Sequence, residues 1–178
     1  MTEKQWYKVG GHSFCLSAPQ DSHLLDNLTN CHPFRIREEE SGIPEEVIFC
    51  LDIEEALRKP EVTGDFIIQF EGEGTLIDLY EMQTGEQLFV ISTMEVQKRA
   101  IAVLKVEPSS YHARLTLAAG LSPQRKNFAI NNTLMLLYAI STACRNTLLI
   151  HASVVACKSK AYVFLGKSGT GKSTHSKL

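Results

Sequence analysis

The stretch that most constrains this chain is Gly166-Lys-Ser-Gly-Thr-Gly-Lys-Ser-Thr174, because it asks for a strand before it and a helix after it. Gly166, Gly171, Lys172 and Ser173 satisfy the pattern G-x-x-x-x-G-K-[ST]. The six residues directly upstream, 160–165, read KAYVFL, an apolar run rich in aromatic and β-branched residues that predicts the required strand. The pattern therefore sits where a strand would hand over to a helix.

Each residue type in the loop has a physical reason to be there. Gly166, Gly169 and Gly171 admit positive φ and let backbone N–H groups approach a phosphate with no Cβ in the way. Lys172 would set a compact ammonium against the outer phosphates of ATP, and the Ser173 hydroxyl would ligate a Mg²⁺ bridging them. Lys167, Ser168, Thr170 and Thr174 complete the expected nucleotide-binding loop, with the Lys167 side chain directed mainly to solvent. A helix starting here would add the partial positive charge of its N-terminus. The competing interpretation is a Gly/Ser-rich surface turn between a strand and a tail.

A phosphoryl-transfer protein of this kind also needs the following helix, further strands and a carboxylate. Only four residues follow Thr174. The expectation is that residues 1–178 are the front of a longer protein, inactive as they stand.

Composition narrows the setting. A net charge of −2 and a pI near 6.3 give no global drive toward nucleic acid or an anionic membrane. The N-terminus carries no apolar leader, and no run reaches the ~18 apolar residues of a membrane span. Cys15, Cys31, Cys50, Cys144 and Cys157 are odd in number and contain no C-x-x-C pair, which argues against a disulfide framework or a thiolate zinc site. A cytoplasmic chain is expected, with neither nucleic acid nor membrane as partner.

In chain order, residues 5–16 predict two short strands around Gly10-Gly11, and residues 21–28 a turn or two of helix. Pro33, the acidic run 38–40, Gly42 and Pro44 mark a solvated loop. Strand-like runs follow at 46–51, 65–70, 75–82, 87–92, 99–106 and 112–118, separated by turn residues at spacings typical of an antiparallel meander. Ser122 and Pro123 then open one long helix reaching about residue 145, apolar nearly all round and so expected to be buried. After it come strands at 147–150, 152–157 and 160–165, the last two joined by a tight turn at Lys158-Ser159.

From His151 onward the residues resemble the catalytic domain of HPr kinase/phosphorylase, whose phosphate loop is likewise preceded by a strand pair beginning at a histidine. The loop GKSGTGKST is also similar to that of ATP-dependent phosphoenolpyruvate carboxykinase. The resemblance covers residues 147–178. Two departures from the family pattern are Ala152, where glycine usually follows the histidine, and Thr174, where glutamate often follows Lys-Ser.

The resemblance implies ATP and Mg²⁺ as cofactors and phosphoryl transfer to a protein, peptide or small-molecule hydroxyl in a full-length form. It implies a homo-oligomer, and catalytic roles for Lys172 and His151 near the γ-phosphate. A structural histidine at a strand end is the equal alternative for His151.

The fold expected is α+β: a β-rich antiparallel N-terminal domain over 1–121, then over 122–178 one long buried helix and the start of a kinase-like or carboxykinase-like P-loop domain. The alternatives are a non-catalytic binding module, and a truncated fragment with little nucleotide affinity.

Overall fold

The computed structural model describes residues 1–37, 42, 44–55, 62–72, 74–94, 100–109, 111–166, 169–171 and 174. The acidic run 38–40 lies outside them.

The chain opens with a hairpin, β1 (Thr2–Val9) and β2 (His12–Pro19), in register from Thr2↔Pro19 to Val9↔His12. Gly10 and Gly11 turn it, at φ 54° and 90°. An excursion follows, with a 3-10 turn at Gln20–Ser22 where residues 21–28 predict a turn or two of helix, and another at His32–Phe34 in the expected loop. It tucks Leu24, Leu25 and Leu28 into the core.

The chain then runs through β3 (Cys50–Glu55), β4 (Asp65–Gly72), β5 (Thr75–Glu81), β6 (Gln87–Thr93), β7 (Ala100–Val106) and β8 (His112–Leu117). Strands β4 to β8 form the antiparallel meander that the turn residues predict. They begin at the far edge of the sheet and work inward until β8 docks beside β3, in the order β1-β2-β3-β8-β7-β6-β5-β4.

That docking overturns the expected all-antiparallel sheet. β3 is parallel to both its neighbours, β2 and β8, so the eight-stranded sheet is mixed. Strand runs and turn residues report local direction reversals only. Which distant strand lies beside which is decided by burial, and β3, with Leu51 and Ile53 buried on one face, fills the centre.

The helix α1 (Pro123–Thr142) starts as the sequence predicts. Ser122 Oγ accepts from the Arg125 N–H at 3.4 Å, and Pro123 occupies the first turn. It is amphipathic rather than wholly buried. Ala129, Ile130, Thr133, Leu134, Leu137, Tyr138 and Thr142 face inward, whereas Met135 is exposed.

The inward stripe joins the same hydrophobic cluster as Tyr7, Phe14, Leu16, Phe49, Leu51, Leu104 and Leu115. A smaller cluster of Leu88, Val90, Ala100 and Val103 lies on the sheet's other face. The helix thus completes the core of a β-rich unit instead of opening a P-loop α/β fold, and the expected fold class fails at this second point.

After the helix come β9 (Ser153–Cys157) and β10 (Lys160–Phe164), a separate antiparallel pair. A nucleotide-binding α/β fold would start from a parallel sheet with a helical crossover, which this pair does not provide.

Candidate phosphate-binding loop

The loop is carried by the β9–β10 hairpin. The register runs from Lys160↔Cys157 to Phe164↔Ser153, and the turn residues Lys158 and Ser159 both hold positive φ, 49° and 63°. This is the mirror-image turn that suits the right-handed strand twist, built here from two residues that adopt the conformation under strain. The ladder ends two positions short of His151 and Gly166, the residues that the same register would set opposite each other. His151 is exposed.

Behind β10 the backbone takes the conformations that glycine permits. Gly169 and Gly171 stand at φ 80° and 81°, each with open space where a Cβ would go. At Gly166 a Cβ would lie 2.8 Å from the Thr170 hydroxyl oxygen, so a larger residue there would require the Thr170 side chain to move. The Thr174 N–H donates to the Gly171 carbonyl oxygen at 3.0 Å, closing a turn at the end of the loop. Lys167, Ser168, Lys172 and Ser173 lie outside the described residues.

The hairpin presents apolar surface to solvent through Val154, Tyr162, Val163, Phe164 and, just beyond β10, Leu165. Its entry is anchored to the first hairpin, since His12 Nε2 lies 2.8 Å from Thr147 Oγ1. Arg145 Nη1 just before it meets Glu46 Oε1 at 2.9 Å, and Lys126 Nζ meets Glu55 Oε1 at 2.6 Å.

These pairs follow from a charge division that the near-neutral total conceals. Residues 1–107 hold nine Lys and Arg against all twenty Asp and Glu, a net charge of −11, whereas residues 108–178 hold nine Lys and Arg and no acid at all. The loop therefore sits in an acid-free segment of net charge +9. A count by segment would have found this signal in the sequence.

Two other groupings also escaped the linear pattern. A cavity of about 600 Å³ beside β1 is lined by Lys4, Gln5, Trp6, His32, Arg35, Ile36 and Arg37, far in sequence from the loop. Lys4 Nζ lies 5.0 Å from the centre of the Trp6 ring. Across the β2–β3 seam, Cys15 and Cys50 are register partners. No group of three or more His, Cys, Asp or Glu side chains is gathered for a metal among the described residues. Nor is any helix among them long and apolar enough to cross a membrane.

The chain matches no family model, no curated protein and no solved structure.

Proposed function

We propose that this protein binds the phosphates of ATP at the loop 166–174 and serves phosphoryl transfer to a hydroxyl acceptor. The observation that carries the proposal is the pair of positive-φ glycines, Gly169 and Gly171, directly behind β10. That backbone fits an anion nest, and the loop's own segment, beyond Glu107, carries no acidic residue. Lys172 would hold the outer phosphates and Ser173 would ligate Mg²⁺. The bound metal would neutralise charge developing on the transferred group. His151, which an extended hairpin register would set opposite Gly166, would orient a phosphate or carry a proton. The cytoplasm, where ATP and Mg²⁺ abound, suits this chemistry.

A second reading has one observation in its favour. The hairpin is open to solvent and, among the described residues, forms no ladder with the eight-stranded sheet, so little braces the loop against the leaving of its ligand. On this reading the chain is a non-catalytic module whose sheet carries the binding.

Calorimetric titration of the chain with Mg-ATP separates the two. The first reading expects saturable heat that Lys172→Ala abolishes while the far-UV circular dichroism stays unchanged. Absence of binding at millimolar Mg-ATP, or equal binding by the variant, overturns it in favour of the module.

A further inference from the structure

The shortest ladder in the eight-stranded sheet joins β2 to β3. Strands β2 and β3 share three register pairs, Cys15↔Cys50, Leu16↔Leu51 and Ser17↔Asp52. Every other neighbouring pair in that sheet shares five to eight. This seam joins the β1–β2 hairpin to the rest of the sheet across a sequence separation of 35 residues. The Ser17 hydroxyl reinforces it by donating to Asp52 Oδ1.

At the end of this seam two thiols meet. Cys15 and Cys50 are lateral register partners and so point to the same face of the sheet. Neighbouring strands lie ~4.8 Å apart, inside the ~4.4–6.8 Å Cα span that a disulfide accepts. The two sulfurs differ in access. Cys15 is 1 % exposed, whereas Cys50 is half-buried and open to small solutes.

We propose that Cys50 and Cys15 form a reversible redox clasp, in which Cys50 takes the oxidising equivalent from a peroxide and Cys15 resolves it into a disulfide across the β2–β3 seam.

The chemistry balances in two steps. Cys50 Sγ, as thiolate, attacks one peroxide oxygen; an S–O bond forms, the O–O bond breaks, and the departing oxygen leaves as water or an alcohol after taking a proton. The sulfur is oxidised by two electrons to a sulfenic acid and the peroxide is reduced. Cys15 Sγ then attacks the Cys50 sulfur and surrenders its proton; the S–S bond forms, the S–O bond breaks, and hydroxide leaves as water. A dithiol reverses the sequence.

The electrostatics favour Cys50 as the attacking thiolate. The pairing with Cys15 lowers the Cys50 thiol, helped by Lys4 and His112 and opposed by burial and Asp52. The pairing with Cys50 and burial push the Cys15 thiol up, so it gives up its proton only in the second step.

The test is oxidation of the full chain with hydrogen peroxide, alkylation of the remaining thiols, and peptide mapping by mass spectrometry without reduction. The expected product is a peptide pair joined through Cys15 and Cys50, lost on treatment with dithiothreitol. The oxidised chain should melt roughly 5–10 °C higher, because the cross-link restricts the unfolded chain.

Cys15→Ser should leave a Cys50 sulfenic acid that dimedone traps, and Cys50→Ser should give no intramolecular product at Cys15. Cross-links confined to the exposed Cys144 and Cys157 would overturn the proposal. So would persistence of the Cys50 sulfenic acid with Cys15 present. The wild-type map decides the matter even where a variant fails to fold.

Discussion

The Tyr138 hydroxyl donates to the Val9 carbonyl oxygen at 2.9 Å, joining the helix to the end of β1 across 129 residues of sequence. The same hydroxyl explains a glycine. A Cβ on Gly10 would stand 3.1 Å from Tyr138 Oη, and Gly10 already holds φ 54°. Turn geometry and helix docking thus meet at one point. Tyr138→Phe removes the hydrogen bond and keeps the ring, so chemical denaturation should show a loss of about 1 kcal/mol. Gly10→Ala should cost more, about 1–2 kcal/mol from the backbone alone. An unchanged denaturation midpoint in both variants would contradict this account.

Stability should fall at alkaline pH through Tyr7. The ring is fully buried against Phe14, its hydroxyl donates to Gln5 Oε1 at 2.7 Å, and burial above all pushes the phenol up to about 12 from its usual 10.0. Because the folded value is raised, the contribution is intact below pH 10 and is lost as pH rises from 10 to about 12, where the unfolded chain has released a proton that the folded chain keeps. The loss should total about 2–3 kcal/mol. Burial raises Tyr138 in the same direction. Denaturation series at stepped pH should show a shallower decline in Tyr7→Phe than in the wild type.

Thr133 offers a stabilising change. Its side chain is fully buried on the inner face of α1, and Oγ1 has no hydrogen-bond partner among the described residues. Thr133→Val keeps the shape and deletes the orphan hydroxyl, so unfolding free energy should rise by about 1 kcal/mol. A thermal melt showing a lowered midpoint would mean that the hydroxyl is satisfied in solution.

The hairpin turn should also be improvable. Ser159 holds φ 63°, a conformation that glycine adopts without penalty. Ser159→Gly should slow amide exchange in β9 and β10 by roughly fivefold, equivalent to about 1 kcal/mol. Unaltered exchange would show that the strain is not stored there.

Local features of this chain are legible in its residues. The glycine pair ending β1, the Ser122 cap and the Lys158-Ser159 turn each act over a few residues, and each lies where the linear pattern puts it. The proposed phosphate loop is legible as an order of residue types, and the strand before it follows from the same local logic. The direction of β3 is not legible. Its partners are Cys15 to Ser17 on one side and His112 to Leu117 on the other, and nothing near Cys50 in sequence distinguishes a parallel neighbour from an antiparallel one.

Where this chain turns, caps and alternates is written in neighbouring residues, and so is the order of the loop glycines, Lys172 and Ser173, because each of these depends on a few adjacent positions. The mixed sheet, the closure of its core by the helix and the meeting of Cys15 with Cys50 arise in three dimensions alone. Those outcomes depend on burying apolar faces of segments far apart in the chain, and that free energy exists only once the segments are brought together.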